Sequence, residues 1–374
     1  MVRQKKDNFV IFFLGEIYKN ETLKKNGNLS AAASYWNYEF IKKLENISKI
    51  RVVKIQYLKD KPWPIGGLFS NNVNWVNTKD SILISYLNLP FVRKFIIYHK
   101  IIKEIKKKII KKKKNIIITY NFLPIDIKIA IFLKKLLSFK WISICADFNS
   151  NEKILVHKKI IKSDRVIFLS EYAYRNYKNN NKLLYNGEIK KIIRTKAKKI
   201  KNFLYSGSLG NWTGIKSFLE EFIKIENKYI KLYITTNNKK DLIKNYLDLD
   251  KRIIYLGYLN DHKYKILVNK IDCFVNLRDE NNKNNLNNFP SKILKYLYFN
   301  KPIISSYMEN LSFDLSKVLI MKKRYQKYSY LIQTATQMKL NDINNIKNKM
   351  YYFFLNKKKK DKLFFQNIIN AINK

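Results

Sequence analysis

Residues 285–306 read NLNNFPSKILKYLYFNKPIISS, and this stretch decides how the rest of the chain is interpreted. A polar, Asn-rich loop runs to the turn pair Phe289-Pro290, and Ser291 then stands where a helix N-cap would lie. Apolar side chains follow at helical spacing, namely Ile293, Leu294, Tyr296 and Leu297. Residues 302–305 form a short apolar run typical of a buried strand. The stretch therefore predicts a loop, a helix and a strand in that order.

The start of this helix has the features of an anion site. Unpaired backbone N–H groups and the helix dipole both favour negative charge at such a point, and Ser291 and Lys292 stand beside them. The other interpretation is an ordinary capped helix, because most capped helices bind no ligand. The residues by themselves leave both interpretations open.

The stretch also resembles the donor-binding element of the GT-B glycosyltransferases, in particular the group 1, GT4-like family. There a Phe-Pro-Ser-Lys loop opens a helix that ends before a Gly-Lys-Pro-(Val/Ile)-Ile-Ser strand. The corresponding residues here are Phe289, Pro290, Ser291 and Lys292, with NKPIIS at 300–305. The family usually carries a Glu in the helix, which holds the ribose, and often a second acidic residue near the donor sugar. This chain has Lys295 and Asn287 at those two positions.

Composition bounds the size and class of the protein. The chain has 374 residues with 46% hydrophobic content, which is enough for two domains with sizeable cores. Its net charge of +47 is typical of proteins that bind nucleic acid or anionic membranes. However, the dominant residues Lys, Asn, Ile, Tyr and Phe all have AT-rich codons, so mutational bias explains much of this charge. We therefore expect no specific nucleic-acid partner, while attraction to anionic lipid or anionic donors remains.

Cysteine and histidine usage predicts neither disulfides nor a metal site. Cys145 and Cys273 each lie inside an apolar run, as buried thiols do in a reducing compartment. His99, His157 and His262 are isolated from one another, so we expect no bound metal and no cofactor beyond the nucleotide-sugar substrate. No apolar run approaches the roughly 18 residues of a spanning helix. We expect a cytoplasmic protein, with a peripheral position at the inner face of the membrane as a further interpretation.

The chain begins with the order strand, glycine loop, helix, which is how an α/β domain starts. Residues 9–14 predict the strand, Gly15 follows it, and the helix begins near Ser30. In the family that the chain resembles, a first-strand glycine and a Ser-Ala-Ala helix start face the cleft. Gly15, Asn28 and Ser30 are therefore acceptor-side candidates, although Gly15 could equally serve only the turn. Asp147, directly after another predicted strand, is a further candidate for an acceptor contact or a base.

Strands and helices alternate along the whole chain, which predicts parallel sheets. With the resemblance, this implies an α/β protein with two Rossmann-like, doubly wound parallel-sheet domains that face a cleft, the GT-B fold. We place the N-terminal, acceptor-side domain at 1–198 and the donor-side domain at 199–350. The remaining helix, 351–374, is expected to cross back to the first domain.

A glycine loop opens the predicted second domain after the strand at 203–206. Gly207 and Ser208 begin it, and a lone glycine loop is a weak phosphate signal by itself. Its match to the family's Tyr-Ser-Gly-(Thr/Ser)-Leu pattern strengthens the prediction of a donor diphosphate site. Arg278, at the end of a later strand, is a further phosphate candidate because a guanidinium suits that ligand. A salt bridge to Asp279 or Glu280 is the alternative role of Arg278.

Residues 95–114 predict a strongly basic amphipathic helix, with isoleucines recurring every four positions among many lysines. One interpretation is a solvated basic face on a helix that packs on the core. The other is docking on anionic lipid, at roughly 1 kcal/mol per well-placed Lys.

The sequence thus predicts a glycosyltransferase that moves a sugar from a nucleotide-diphosphate donor to a saccharide or lipid-linked acceptor. Similarity to GT4 implies retention of anomeric configuration without a bound metal, in surface-polysaccharide or glycan assembly. No catalytic residue is predicted. A degenerate GT-B protein that binds nucleotide or a partner without turnover is the alternative, favoured by Lys295 and Asn287. Nucleic-acid binding is favoured by charge alone.

Overall fold

The structure is a computed structural model, and it describes residues 9–18, 30–48, 50–58, 61–70, 80–109, 114–121, 123–147, 162–177, 181–237 and 240–373. Internal contacts divide the chain into two compact units. The first unit holds residues 1–169, 174–187 and 362–374, and the second holds residues 170–173 and 188–361.

The first unit is built on a seven-stranded sheet in which all described pairings are parallel, with the strand order β4-β2-β1-β6-β7-β8-β9. A separate antiparallel pair joins β3 to β5. The strands of this unit are β1 (Phe9–Leu14), β2 (Val52–Gln56), β3 (Phe69–Ser70), β4 (Ser81–Leu83), β5 (Tyr86–Leu87), β6 (Lys114–Tyr120), β7 (Lys140–Cys145), β8 (Arg165–Phe168) and β9 (Lys182–Leu184).

Apolar, β-branched and aromatic residues make β1 an interior strand of this sheet. Every residue of β1 is buried, and Ile11 pairs with Val52 on one side and Ile116 on the other. Such continuous apolar runs are typical of parallel strands covered on both faces. The helices that follow the strands are α1 (Ala31–Ser48), α2 (Val92–Lys108) and α3 (Pro124–Leu137), and the short α4 (Glu171–Asn176) comes later.

The basic helix differs from its prediction at both ends. It was expected over residues 95–114, but α2 begins at Val92 and ends at Lys108. Ile109 adopts an extended conformation that stops the helix, and Lys114 already pairs in β6. The apolar residues at 116–118 belong to a buried strand that begins at Lys114, a residue that its charge had assigned to the helix.

The second unit contains a six-stranded sheet, also parallel in all described pairings, with the order β12-β11-β10-β13-β14-β15. Its strands are β10 (Asn202–Ser206), β11 (Lys231–Thr235), β12 (Ile253–Gly257), β13 (Cys273–Asn276), β14 (Ile303–Ser305) and β15 (Ile320–Met321). Its helices are α5 (Ile215–Ile223), α6 (Lys244–Leu249), α7 (Asp261–Lys270), α8 (Lys292–Tyr298), α9 (Phe313–Ser316), α10 (Tyr328–Gln337) and α11 (Leu340–Asn373).

The segment before β10 packs on the second unit although it has no regular secondary structure. The Ile193 N–H donates to the Tyr298 carbonyl at 2.8 Å, and the buried Lys347 ammonium donates to Thr195 Oγ1 at 2.9 Å. The long segment of the second unit therefore begins at Glu188, whereas the sequence placed the domain boundary near Lys198. Helix α11 contributes residues up to Asp361 to the second unit and residues from Lys362 to the first.

Candidate functional site

The glycine loop after β10 lies against the first residue of α8. A Cβ added at Gly207 would stand 2.7 Å from Tyr205 Oη and 3.0 Å from Lys292 Nζ. The structure therefore brings together two of the predicted donor-side residues, and glycine is the residue that leaves room for the ammonium group.

Two tyrosines hold this loop in position. Tyr205 Oη donates a hydrogen bond to the Ser208 carbonyl at 2.5 Å, and burial raises the pKa of Tyr205 to about 12. Tyr296 Oη, on α8, donates to the Ser206 carbonyl at 3.2 Å and accepts from the Ser206 N–H at 3.3 Å. Strand end, loop and helix are thus linked by neutral phenols that stay protonated at physiological pH.

Lys292 carries the positive charge at this point. Its side chain is open to solvent, but protein surrounds the ammonium closely enough that desolvation lowers its pKa from 10.5 to about 8. Repulsion from Arg278 and Lys295 adds to this decrease. Within the part of the chain that the structure describes, no acidic side chain forms an ion pair with Lys292. The ammonium is therefore a cation without a protein counter-ion in these regions.

Ser291 does not act as the predicted N-cap. Its backbone is helical, its side chain accepts no capping hydrogen bond, and its N–H donates to the Phe289 carbonyl at 2.9 Å. The bonds from Ile293 N–H to Pro290 and from Leu294 N–H to Ser291 form a tight 3₁₀-like first turn instead. Because α8 has only seven residues, side-chain cations rather than the helix dipole supply most of the positive potential.

Arg278 lies near Lys292, two residues after β13. The backbone N–H of Arg278 donates to Ser306 Oγ at 2.8 Å, and the guanidinium charge contributes to the lowered pKa of Lys292. Of the two carboxylates considered as structural partners for Arg278, Glu280 is bonded by Lys322 at 2.8 Å. Arg278 thus adds positive potential around Lys292, the cation that lies beside Gly207.

Asparagines that the sequence did not single out fasten the loops of the site. Asn285 Nδ2 donates to the Trp212 carbonyl at 3.2 Å and to the Asp279 carbonyl at 2.9 Å. Asn310 Nδ2 donates to the carbonyls of Asn285 at 2.8 Å and of Asn288 at 2.7 Å. This amide clamp, Asn285 and Asn310, joins the glycine loop, the loop after β13 and the loop before α8. The Asn-rich composition of 281–288 was the available signal.

Lys295 and Asn287 stand at the two positions where the resembled family usually carries acidic residues. Lys295 Nζ lies 4.3 Å from the ring centroid of Tyr264, and desolvation lowers the pKa of Lys295. Asn287 is buried. Phe289 and Pro290 are buried as well, so these predicted donor-side residues shape the loop from within.

Two of the acceptor-side candidates, Gly15 and Ser30, have structural explanations. A Cβ at Gly15 would stand 2.3 Å from Phe13 Cε1 and 3.2 Å from Tyr120 Cβ, so packing by itself requires glycine. Ser30 Oγ accepts from the Ala33 N–H at 3.1 Å and caps α1. Asn28 lies outside the described residues.

Asp147 follows β7 at the carboxyl edge of the first sheet and is exposed. Its N–H donates to Asn121 Oδ1 at 3.2 Å, and Asn121 stands next to Tyr120, which Gly15 approaches. Gly15 and Asp147 therefore share this edge, where parallel sheets bind ligands. Gly15 and Asp147 on the first sheet, and Gly207 and Arg278 on the second, thus follow the carboxyl ends of strands.

The described residues also bear on a metal site, a membrane-spanning helix and the state of the cysteines. These residues contain no group of three or more His, Cys, Asp or Glu side chains that could hold a metal ion. Across the described helices, none combines the length and apolar character that a membrane span requires. Cys145 and Cys273 are buried free thiols.

Comparisons with known proteins agree with this architecture. Residues 200–317 match the family described as "Glycosyl transferases group 1". No curated protein sequence matches the chain.

Solved structures resemble nearly the whole chain. A glycosyltransferase from Rickettsia africae shares 14% identity, with a TM-score of 0.63 and coverage of 97% of this chain and 99% of that one. The lipopolysaccharide outer core galactosyltransferase WaaB shares 17% identity, with a TM-score of 0.60 and coverage of 97% and 98%. Anabaena HepE in complex with UDP and glucose shares 11%, with a TM-score of 0.59 and coverage of 98% and 99%. At these identities the likeness shows the fold, which is the two-domain GT-B fold predicted from the sequence.

Proposed function

We propose that the protein is a glycosyltransferase, because residues 200–317 match the group 1 glycosyl transferase family and the chain has the GT-B fold. Its donor is a nucleotide-diphosphate sugar, and its acceptor is a saccharide or a lipid-linked saccharide. The process it serves is the assembly of surface polysaccharide or glycan. WaaB, a galactosyltransferase of the lipopolysaccharide outer core, and HepE, solved with UDP and glucose, support these substrate classes.

One observation carries the proposal, namely the Lys292 ammonium beside Gly207, within electrostatic range of the Arg278 guanidinium. When the bond between the sugar and the diphosphate breaks, the departing diphosphate gains negative charge. Fixed cations at that place stabilise the transition state more than the ground state, which is what accelerates transfer. Glycine at 207 allows the phosphates to approach the backbone next to the ammonium group.

We include in the proposal that transfer is of the GT4 type, with retention of anomeric configuration and without a metal ion. The support is the resemblance in the loop that starts α8 and in the glycine loop. Lys292 and Arg278 would supply the positive charge that the leaving diphosphate needs. Gly15 and Asp147 remain the proposed acceptor-side residues, and Ser208 the proposed donor contact beside Gly207.

Lys295 favours a second function, that of a nucleotide-binding GT-B protein without turnover. A cation on the Tyr264 ring cannot accept hydrogen bonds from a ribose as a carboxylate does. Such a protein would bind the nucleotide through Lys292 and Arg278 but would neither transfer nor hydrolyse the sugar. Both functions therefore predict nucleotide binding, and only the enzyme predicts transfer or hydrolysis of the sugar.

The first test is thermal unfolding of the purified protein with UDP, GDP, ADP, CDP and dTDP and with their sugars. We expect one nucleotide to raise the midpoint, and UDP is the first to try because HepE was solved with it. A ligand at 100 times its Kd adds about 2.7 kcal/mol to the free energy of unfolding. Release of nucleotide from the matching sugar donor then supports the enzyme, and binding without release supports the second function. If all the nucleotides leave the midpoint unchanged, the donor-site proposal is wrong.

Donor binding should also depend on pH in a defined direction. The pKa of Lys292 is about 8 in the free protein, so its ammonium loses charge as pH rises through 8. We expect the Kd for the nucleoside diphosphate to increase as pH rises through 8, by at most tenfold per pH unit. Isothermal titration across this range measures it. A guanidinium stays charged, so Lys292→Arg should flatten the curve, and an equal pH dependence in that variant would contradict the assignment.

A further inference from the structure

One corner of the first unit exposes large apolar side chains next to a basic helix. The apolar corner consists of Trp63, Ile65, Phe69, Phe91, Val92 and Phe95. Phe91 is 94% exposed, Ile65 75% and Phe95 65%. Single exposed apolar residues are ordinary on soluble proteins, but a group of them from two neighbouring segments marks an interaction surface.

Hydrogen bonds to a buried asparagine hold the two segments of the corner together. Asn88 Nδ2 donates to the carbonyls of Lys61 at 2.6 Å and Gly67 at 3.0 Å, and its Oδ1 accepts from Arg93 at 3.1 Å. Its backbone accepts from the Trp63 N–H at 3.0 Å and donates to the Leu68 carbonyl at 2.8 Å. The loop that carries Trp63, Ile65 and Phe69 is therefore fixed beside the start of α2.

The backbone at Phe91 is strained, and the strain does not help to bury its ring. Phe91 has φ +64° and ψ −48°, and the Val92 N–H donates to the Pro90 carbonyl at 2.7 Å across it. This is a γ-turn of the rare, strained form, which an aromatic residue seldom adopts. Because the ring gains almost no contact inside the protein, the structure keeps a costly conformation that points an aromatic side chain outward.

Positive charge continues from the corner along the exposed face of α2. The helix contains seven basic residues and one acidic residue, Glu104, which pairs with Lys107 at 2.6 Å. Phe95 packs on His99 with ring centroids 4.1 Å apart, and Lys103 and Lys106 follow at helical spacing on the exposed side. The buried isoleucines of α2 face the core, so the exposed side runs from apolar at its start to cationic at its end.

We propose that the apolar corner and the exposed lysines of α2 dock the protein on an anionic phospholipid bilayer, with the apolar side chains inserted at the interface. Lysines are depleted at protein–protein interfaces, whereas lysines combined with Trp and Phe suit the boundary between headgroups and acyl chains. Nucleic acid would also be attracted by the lysines and would stack its bases on the aromatic rings, but the exposed aliphatic side chains of Ile65 and Val92 are buried only by an apolar partner. The bilayer accounts for both the charge and the apolar side chains.

Sedimentation with vesicles tests the docking independently of catalysis. The full chain is mixed with vesicles of phosphatidylcholine alone, or with an equal part of phosphatidylglycerol. We expect binding to the anionic vesicles and much less to the neutral ones. In the variant Ile65→Ser/Phe91→Gly/Phe95→Ser the partition coefficient should fall about tenfold or more. Lys94→Gln/Lys103→Gln/Lys106→Gln should have a comparable effect.

A matched charge control lies on another helix. Lys349, Lys358 and Lys359 are exposed on α11, and their replacement by glutamine removes the same charge. This control should keep most of the binding, because its lysines belong to the second unit, whereas the apolar corner belongs to the first. Equal loss from both lysine variants would mean attraction by net charge alone and would overturn the proposal, as would wild-type binding by the apolar variant.

Brominated lipids give the depth of insertion. We expect them to quench tryptophan fluorescence in the bound protein. Trp63→Phe should remove much of the quenching, whereas Trp212→Phe, at an equally exposed indole of the second unit, should not. An unchanged unfolding midpoint shows that the apolar variant is folded. Should the triple variant unfold, the single variants Ile65→Ser and Phe95→Ser carry the same comparison, and wild-type binding by both would overturn the proposal.

Discussion

Replacing Lys292 with alanine is expected to lower the rate of sugar transfer by about 10²–10³-fold while the fold stays intact. The ammonium lies beside Gly207, where a nucleoside diphosphate would place its phosphates, and it has no acidic partner among the described residues. Its removal takes away charge stabilisation that the leaving diphosphate needs most in the transition state. Steady-state kinetics with the matched nucleotide sugar measures the decrease, which should fall mainly on kcat.

Whereas Lys292→Ala should lower activity, it should leave the resistance of the protein to unfolding unchanged or increase it. The folded-state pKa of Lys292 is lowered from 10.5 to about 8, so the unfolded chain binds its proton more tightly than the folded chain. Folding is therefore disfavoured by this charge below pH 8, and the cost is relieved as pH rises from about 8 to 10.5. We expect Lys292→Ala to unfold at or above the wild-type temperature at pH 7, with the difference shrinking towards pH 10.5.

Lys265 supplies the control for both measurements. It is exposed on α7, and Lys265→Ala removes one lysine of the same unit away from the glycine loop. This variant should keep wild-type kinetics and the wild-type unfolding midpoint. Normal transfer by a well-folded Lys292→Ala protein would show that the diphosphate binds elsewhere.

Gly214→Ala is expected to lower the free energy of unfolding by about 1–2 kcal/mol and to weaken donor binding. Gly214 has φ +70°, a conformation that side chains other than glycine rarely adopt, and it begins α5. A Cβ there would stand 3.0 Å from the Arg278 carbonyl oxygen, and a backbone atom cannot turn aside as a side chain does. Arg278 would have to move, which is why affinity as well as stability should decrease.

Chemical denaturation and titration with the nucleoside diphosphate measure the two effects of Gly214→Ala. Gly67→Ala is the matched control, because a Cβ at Gly67 meets its nearest neighbour at an ordinary 3.5 Å and no left-handed backbone is involved. We expect nearly wild-type stability and binding from that control. A Gly214→Ala protein as stable as the control, with unchanged affinity, would contradict the role given to this turn.

Strands and loop positions were the predictable part of the fold. The runs at 9–14 and 231–235 are strands with those bounds, because a short, mainly apolar run between polar segments is typical of a buried strand. Gly207 and Lys292 were both singled out from their own segments. That they lie together follows from the parallel sheet, which brings successive loops to one edge.

The features that escaped prediction depend on contacts between distant segments. Asn88 and Asn310 look like any other asparagine in a chain rich in that residue, and their roles come from the carbonyls that the fold brings to them. Ser291 has the residue type of an N-cap, but the tight turn after Pro290 satisfies its backbone differently. Short strands such as β4 and β15 pair at sheet edges without a long apolar run of their own.

The amide clamp has a consequence for how the donor site behaves in solution. Asn285 and Asn310 bind carbonyl oxygens through Nδ2, and an amide neither gains nor loses a proton between neutral and alkaline pH. The loops that this clamp holds therefore keep their hydrogen bonds while Lys292 loses its proton. Alkaline titration of this protein therefore changes the charge of the site while these hydrogen bonds persist, and the difference between the wild type and Lys292→Arg isolates the part of the lost affinity that belongs to Lys292.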